Sequence, residues 1–257
     1  MKYSICTDIL EFSSLDLYKK SFSERLHKIK ADGFDTFEFW SWKNKNITEI
    51  SETATSLGMN VKAFSLDSKN DEISKTLASY ALNSGKTDML KNAVYETAEI
   101  ADMLKCKSLI VTIGDNIPSL SYEKQLENIY ASLSVCENIL KNEGITLLLE
   151  PINRFERKEY LIPDANDAIK IIKNINSDYI KVLYDCYHQA REGKTDIKGL
   201  ISSLDYIGHI HMAGVPQRNE PDLIMKETVK ALKESDYKGY IGLEYIPTKE
   251  NLKVITL

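Results

Sequence analysis

The sequence predicts an α/β fold of the (β/α)8, or TIM, barrel type, in a single domain spanning residues 1–257. Eight short apolar runs rich in β-branched residues alternate with longer stretches of helical periodicity, an order typical of parallel strands with helical crossovers. Eight such units in 257 residues match the size of one barrel. The chain contains no Gly-x-Gly-x-x-Gly or Walker sequence, which disfavours a doubly wound nucleotide-binding sheet.

The eight predicted strands are short and predominantly apolar. They cover Tyr3 to Cys6, Thr36 to Trp40, Val61 to Phe64, Ser108 to Ile113, Thr146 to Glu150, Lys181 to Asp185, Ile207 to Met212 and Ile241 to Tyr245. Each of the first seven is followed by a stretch long enough for a crossover. The repeating unit is therefore one strand followed by one helix.

Seven helices are predicted from apolar spacing and from end signals. They cover Ser23 to Ala31, Ile47 to Leu57, Lys86 to Leu104, Ser121 to Asn142, Asp164 to Asn174, Asp196 to Ser203 and Asp222 to Ser235. Gly33, Gly58 and Gly144 follow three of them, where a left-handed residue ends a helix without steric cost. Only about a dozen residues follow the eighth strand, so we expect the last helix to be short or missing. A homo-oligomer is one expectation, since a partner subunit could cover the apolar flank left by that helix.

Composition and charge argue against several classes of protein. Lys and Arg total 33 against 38 Asp and Glu, so a net charge of -5 offers no general attraction for nucleic acid. No apolar run approaches the roughly 20 residues of a membrane span, and Asp8 and Glu11 interrupt the first apolar stretch. We expect a soluble, cytoplasmic protein with no nucleic-acid or membrane partner. The four cysteines form no Cys-x-x-Cys pair, which favours buried free thiols over zinc, redox or disulfide chemistry.

Four consecutive predicted strands, the fifth to the eighth, each carry a possible metal ligand at or near the end. Glu150 ends ITLLLE, Asp185 ends IKVLYD, His211 lies within IGHIHMAG, and Glu244 ends YIGLE. In a (β/α)8 barrel these ends meet at one rim, where reactive groups gather. A single acid there could instead cap a helix or pair with a lysine. Four in succession favour a shared divalent metal ion, because a buried carboxylate is costly unless it is compensated.

Three carboxylates and one imidazole form a hard, oxygen-rich ligand set. Such a set suits Mn, Mg or Co, and Zn also accepts it. Two carboxylates beside one metal also meet the needs of proton transfer next to a carbonyl group. The metal would stabilise an enediolate, while one glutamate removes a carbon-bound proton and another returns it. Glu150 and Glu244 are the candidates for this catalytic pair.

Several polar and aromatic residues near this rim have two interpretations each. His188 follows Asp185 by three residues and could reach substrate hydroxyls, or it could be an ordinary loop histidine. Arg218 and Glu220 in VPQRNEP could grip a polar substrate, or they could form an exposed ion pair. Trp40 and Trp42 could line the substrate mouth, but core or interface positions are equally open.

At these residues the chain resembles the xylose isomerase-like TIM barrel superfamily of sugar isomerases and epimerases, over nearly its whole length. GHIHMAGVPQRNEPD followed by GYIGLEYIP is similar to the hydroxypyruvate isomerase branch. LLEPINRFE, YDCYH and His211 are more similar to the ketose 3-epimerases. The resemblance implies metal ligation by Glu150, Asp185, His211 and Glu244, proton exchange by the two glutamates, and substrate contacts from His188, Arg218 and Glu156.

Two departures from the hydroxypyruvate isomerase pattern leave the substrate open. That branch usually carries Gln at the position of His211, and a Gly-Glu-Ile-Asn-Tyr-like stretch where this chain reads PDLIMKETV. The leading hypothesis is a divalent-metal-dependent isomerase or epimerase of a ketose or small hydroxy-carbonyl sugar, and the alternative is a hydroxypyruvate isomerase-type enzyme. An endonuclease IV-type nuclease is disfavoured by the four histidines and the net charge. A non-catalytic sugar-binding barrel is disfavoured by the intact ligand set.

Overall fold

Eight parallel strands close into a barrel in a computed structural model that describes residues 1–252. The strands are β1 (Lys2–Cys6), β2 (Thr36–Ser41), β3 (Asn60–Ser65), β4 (Ser108–Thr112), β5 (Thr146–Glu150), β6 (Ile180–Asp185), β7 (Ile207–Met212) and β8 (Tyr240–Leu243). They pair in chain order, and β8 pairs with β1 to close the barrel. The predicted (β/α)8 fold in a single domain is confirmed.

Nine α-helices surround the strands within residues 1–252. They are α1 (Phe22–Ala31), α2 (Ile47–Leu57), α3 (Asp71–Tyr80), α4 (Thr87–Met103), α5 (Tyr122–Glu143), α6 (Ala165–Ile175), α7 (Cys186–Arg191), α8 (Ile197–Ser202) and α9 (Leu223–Glu234). Seven match the predicted helices to within one residue at each end. Sequence reasoning did not propose α3, which shares the β3–β4 connection with α4, or the short α7.

Side-chain caps explain where several helices begin and end. Asn46 accepts a hydrogen bond from the Glu49 N–H at the start of α2, and Ser21 and Glu24 form a capping box at α1. Gly58 and Gly144 end α2 and α5 in the left-handed conformation, with φ of 61° at both positions. These ends fix where the chain turns back into the next strand.

Inward-facing residues form two layers inside the barrel, because side chains along a strand alternate between its faces. One layer carries a small apolar cluster of Ala63, Ile110, Leu148 and Leu183, separate from the larger core between strands and helices. Residues two positions further along β5 and β6 are Glu150 and Asp185. The apolar layer therefore lies beneath the polar ends of the strands.

The chain beyond β8 contains no α-helix within residues 244–252. Residues 253–257 lie outside the described part, so the short or missing last helix stays a prediction. Tyr18 donates a hydrogen bond to the Lys249 carbonyl, and the Leu252 N–H donates to Asp32 at the end of α1. These contacts hold the segment against the first βα unit. Within residues 1–252, no helix combines the length and apolar content needed to cross a membrane. All four cysteines are buried and free, as predicted.

Candidate metal centre

The four predicted metal ligands meet at the C-terminal rim of the barrel. Glu150 ends β5, Asp185 ends β6, His211 lies near the end of β7, and Glu244 follows β8 directly. One ligand atom from each lies within 4.8 Å of the others, and all four residues are buried. The sequence argument correctly placed these four side chains together, and their role as metal ligands stays a prediction.

Two polar atoms in this cluster lack a hydrogen-bond partner among the described residues, namely Asp185 Oδ2 and His211 Nδ1. His211 Nδ1 lies 3.3 Å from Glu244 Oε2 and 3.7 Å from Glu150 Oε1. Buried polar atoms without partners cost free energy, so their presence points to a missing ligand. A divalent cation would serve both atoms and offset the carboxylate charge, and the donor set therefore fits a metal ion.

A second cluster lies one layer deeper and shares His211 with the first. Glu38 Oε1 accepts a hydrogen bond from His209 Nε2 at 2.8 Å, and Glu38 Oε2 accepts one from His211 Nε2 at 2.9 Å. Ser4 Oγ also donates to Glu38 Oε1. This network assigns a proton to Nε2 of His211, so that Nδ1 can act as a ligand toward the rim once the ring has lost its second proton.

The deeper cluster also satisfies the proximity expected of metal ligands, since one atom each from Glu38, His209 and His211 lies within 4.8 Å of the others. Direct hydrogen bonds join these atoms, however, and they already satisfy both oxygens of Glu38. Gly242 makes room for the cluster, because a Cβ there would lie 2.6 Å from both Glu38 Oε1 and His211 Cδ2. The rim cluster is therefore the better candidate for a metal site.

Sequence reasoning missed Glu38 and His209, although each left a signal. Glu38 is a charged residue between Phe37 and Phe39 in an apolar strand, and His209 precedes His211 by two residues, on the same face of β7. Glu38 meets His209 and His211 only because the sheet closes into a barrel. That pairing joins residues 171 and 173 positions apart in the chain.

The two glutamates at the rim have opposite electrostatic environments. Burial raises the pKa of Glu150 to about 8, and the nearby Glu244 and Asp185 charges add to the increase. Burial alone would also raise the pKa of Glu244, but the Arg218 guanidinium and the His211 ring hold it well below its usual range. Without a cation, Glu150 therefore holds a proton at neutral pH and Glu244 is ionised. Such a division suits a donor and an acceptor of protons.

Glu244 is held at both carboxylate oxygens. Trp40 Nε1 donates to Oε1 at 2.5 Å, and Arg218 Nη2 donates to Oε2 at 2.5 Å. The Cys6 thiol lies 3.6 Å from Oε1. Trp40 thus lies beside the candidate metal centre, which is consistent with the interpretation that it lines the substrate mouth. Trp42 instead belongs to the core, where it is buried and donates to Thr97 Oγ1.

His188 lies on α7 and points toward the rim cluster. Its Nε2 is 3.4 Å from Asp185 Oδ2 and 4.0 Å from Glu150 Oε1. The Asn153 amide nitrogen lies 2.6 Å from His188 Nδ1, while Asn153 Oδ1 accepts from two backbone N–H groups of the following turn. Asn153 is therefore the donor to Nδ1, and His188 presents an Nε2–H to the site. Sequence reasoning singled out the NRFE motif for Glu156 and overlooked Asn153.

Arg218 connects the predicted substrate contacts to the rim. Its guanidinium pairs with Glu156 Oε2 at 3.0 Å and lies 3.6 Å from Asp185 Oδ2 and 4.8 Å from the Tyr187 ring centroid. The structure thus brings Arg218 and Glu156 together at the site. Glu220 takes no part, because its carboxylate accepts hydrogen bonds from the backbone and hydroxyl of Thr248.

The chain belongs to the xylose isomerase-like TIM barrel family, whose model matches residues 26–255. It is 28% identical over 166 residues to the hydroxypyruvate isomerase of Escherichia coli, with 63% of this chain and 64% of that protein covered. It is 37% identical over 120 residues to the 2-oxo-tetronate isomerase of Cupriavidus necator, with 45% and 46% covered. The matched regions thus span about half to two thirds of these curated relatives.

Solved structures match the fold over almost the whole chain. An AP endonuclease of family 2 from Brucella melitensis superposes with a TM-score of 0.84 at 23% identity, covering 98% of this chain and 96% of that one. An L-ribulose 3-epimerase superposes with a TM-score of 0.74 at 20% identity, covering 96% and 82%. At these identities the matches establish the shared barrel architecture.

Proposed function

We propose that this chain is a divalent-metal-dependent isomerase or epimerase of a ketose or small hydroxy-carbonyl compound. The observation that carries the proposal is the convergence of Glu150, Asp185, His211 and Glu244, in which two buried ligand atoms find no hydrogen-bond partner in the described part of the chain. The named activities of the two curated relatives, both isomerases of small oxo-acids, support the same reaction class. Mn, Mg, Co and Zn all remain compatible with the ligand set.

Glu150, Asp185, His211 and Glu244 would hold the metal. When bound, the cation would polarise the substrate carbonyl group and offset negative charge that develops on its oxygens. Glu150 and Glu244 would exchange the carbon-bound proton, each within 4 Å of His211 Nδ1 and so near the same point. Trp40 and Arg218 orient the Glu244 carboxylate through one hydrogen bond to each oxygen. The His188 Nε2–H and Arg218 would orient substrate oxygens.

Hydroxypyruvate isomerisation is a second candidate, favoured by the relative from Escherichia coli. Against it stands His211, where the resemblance leads us to expect Gln. An abasic-site nuclease is less favoured despite the structural match to an AP endonuclease, because that match establishes the fold alone. The four histidines and the net charge of -5 also argue against a multinuclear, DNA-binding site.

The decisive experiment is hydrogen exchange from deuterated water into a panel of ketoses and hydroxypyruvate, followed by NMR. We expect exchange to disappear with a chelator and to return with Mn or Co. Label at the hydroxymethyl carbon next to the carbonyl indicates aldose–ketose isomerisation, and label at C3 of a ketose indicates epimerisation. Failure of every substrate to exchange with any of the four metals would contradict the proposal.

A Glu244→Gln substitution tests the proton-transfer role separately from metal binding. The amide keeps an oxygen for the metal but cannot accept a proton from carbon. We expect exchange to fall at least about 10²-fold in protein whose metal content is confirmed by elemental analysis. Normal exchange in the metal-loaded variant would show that Glu244 is not part of the proton shuttle.

A further inference from the structure

Two residues of the candidate site lie in one short turn after β5, the NRFE turn (residues 153–156). Asn153 donates to His188 Nδ1 at 2.6 Å, and Glu156 pairs with Arg218 at 3.0 Å. Both contacts reach side chains that we expect to orient the substrate. The position of the NRFE turn therefore sets the geometry of those side chains.

The two other residues of the NRFE turn contact the end of α7. The Arg154 N–H donates to Glu192 Oε1 at 2.6 Å, and the Arg191 guanidinium lies over the Phe155 ring, 4.5 Å from its centroid. We infer that Arg191 and Glu192 are positioning residues, which hold the NRFE turn in the orientation that its substrate contacts require. The inference rests on the proposed function and adds to it two residues outside the candidate metal centre.

The helix α7 supplies three of the four partners of the NRFE turn. His188, Arg191 and Glu192 span about one helical turn, and Glu192 is the C-cap, whose N–H donates to the His188 carbonyl at 3.2 Å. Asp185, a candidate metal ligand, caps the other end of the same helix. The helix therefore connects the NRFE turn directly to the candidate metal centre.

Glu192 holds the backbone of the NRFE turn rather than a side chain. An ionised carboxylate that accepts from a backbone N–H forms a stronger hydrogen bond than a neutral group does. The Arg154 guanidinium donates instead to the carbonyl oxygens of Tyr160 and Leu161, later in the same connection. Arg154 is therefore fixed at both its backbone and its side chain, and Glu192 provides the link to α7.

Arg191 holds the side chain of the next residue in the turn. Phe155 is 68% exposed, so burial contributes little to fixing its ring. The ring attracts the Arg191 cation that lies over its face. Arg191 Nε is buried and has no hydrogen-bond partner among residues 1–252, which leaves stacking on Phe155 as the interaction that connects this cation to the NRFE turn.

Substitution of Glu192 tests the backbone contact, with whichever compound of the ketose and hydroxypyruvate panel reacts fastest. We expect Glu192→Ala to raise KM about fivefold and to leave kcat within about twofold, because a displaced turn weakens ground-state and transition-state binding alike. Glu192→Gln keeps an oxygen that can accept from the Arg154 N–H and should restore the parent KM. Glu159→Ala, which removes an exposed carboxylate from the same connection, is the matched control and should change neither constant.

Substitution of Phe155 and Arg191, singly and together, tests the side-chain contact. Each alanine should raise KM about threefold, and the double variant should show no further increase, because both changes remove the same contact. Phe155→Tyr keeps the aromatic ring and should retain the parent KM. Increases that multiply in the double variant would contradict a role through the stacked pair.

Backbone amide exchange, followed by NMR, tests the inference without any substrate. The Phe155 and Glu156 N–H groups donate to Asn153 and not to Glu192, so they report on the whole NRFE turn. We expect these amides to exchange about fivefold faster in Glu192→Ala and at the parent rate in Glu192→Gln. Faster amide exchange in a protein whose parent turns over no substrate would refute the proposed function and support the positioning role. Unchanged amide exchange and KM in Glu192→Ala, with turnover by the parent, would overturn the positioning role and leave the proposed function intact.

Discussion

The barrel contains two acid–histidine clusters that share His211, and they differ in how their charge is compensated. In the deeper cluster, two histidines and Ser4 donate to the single carboxylate of Glu38. Burial alone would raise the pKa of Glu38, but the two histidines hold it well below its usual range. At the rim, three carboxylates face the same ring, and Asp185 Oδ2 and His211 Nδ1 have no hydrogen-bond partner among residues 1–252. In the deeper cluster both carboxylate oxygens have partners, although His209 Nδ1 has none within the same residues.

This difference assigns different tasks to the two clusters. A cation would add little stability to the deeper cluster, because its carboxylate already accepts hydrogen bonds at both oxygens. A cation would stabilise the rim cluster strongly, because several buried carboxylates lie close together there. We therefore expect the rim to bind the metal and Glu38 to orient His211 for it. Changes at the rim should remove metal binding, and changes in the deeper layer should only weaken it.

The largest expected effect comes from Asp185→Asn. Asp185 Oδ1 caps α7 by accepting from the Tyr187 N–H at 2.7 Å, and asparagine can keep that cap. Its amide nitrogen would then replace Oδ2 and present a donor to the cation. We expect metal affinity to fall more than about 10²-fold, beyond the loss typical of a residue that only supports a ligand.

Titration with Mn in the presence of a competing chelator measures the affinity of the Asp185→Asn variant. Circular dichroism of the metal-free variant should match that of the parent protein, since the cap is retained. Unchanged Mn affinity in a folded variant would remove Asp185 from the ligand set.

A smaller effect is expected from Glu38→Gln. The amide is nearly isosteric but cannot accept hydrogen bonds at both positions, so the Nε2 atoms of His209 and His211 lose a common acceptor. Metal affinity should fall about 10- to 100-fold, the range typical of groups that orient a ligand. Nitrogen NMR of the histidine rings should also show a changed tautomer at His211. A full loss of metal, equal to that of Asp185→Asn, would contradict the division between the clusters.

The rim cluster could be predicted from the sequence and the deeper cluster could not, for a topological reason. Parallel strands bring their C-terminal ends to one rim, so a polar residue ending each apolar run is enough to predict proximity. Glu38 lies in mid-strand among aromatic residues, and its partners lie on β7, across the barrel. Their contact depends on the register of the closed sheet and on the space left by Gly242.

For the helices too, the sequence predicted the features that depend on local signals. Helices such as α2 carry both a cap and a terminal glycine, and their bounds follow from local signals. The sequence gives no such separate signal for the short α7. Its N-cap is Asp185, which the sequence argument interpreted as the end of a strand and as a metal ligand. One residue thus performs two structural tasks, and only the structure separates them.

The two clusters also predict how metal affinity depends on pH. Because the pKa of Glu150 is raised to about 8, the folded protein at pH 7 holds a proton on this carboxyl group that the unfolded chain has lost. Burial alone would lower the pKa of His211, but Glu38 and Glu244 raise it well above its usual value. The raised pKa of each group stabilises the metal-free fold at low pH, and this stabilisation is lost as pH rises through the folded pKa.

We therefore expect the melting temperature of metal-free protein to fall between pH 7 and 8.5. The lowered pKa values of His209 and His188 leave both rings neutral in this window. Mn binding displaces protons from Glu150 and His211, so its affinity should rise about tenfold per pH unit for each proton displaced. Glu38→Gln should flatten the rise, because His211 loses the main partner that holds its proton. Equal Mn affinity at pH 7 and 8.5 would contradict this coupling.

The smallest effect should come from the hydrogen bond that orients His188. Asn153→Asp keeps the oxygen that accepts from the turn but replaces the donor facing His188 Nδ1 with an acceptor. The ring should then carry its proton on Nδ1, and the Nε2–H directed at the rim would be lost. Because one such hydrogen bond contributes about 1 kcal/mol, we expect kcat/KM to fall about fivefold with Mn affinity unchanged. Asn153→Ala should disturb the turn as well. A loss of stability in the alanine variant alone would separate the role of Asn153 in the turn from its role in orienting His188. An equal loss of Mn affinity in both variants would instead place His188 among the groups that support metal binding.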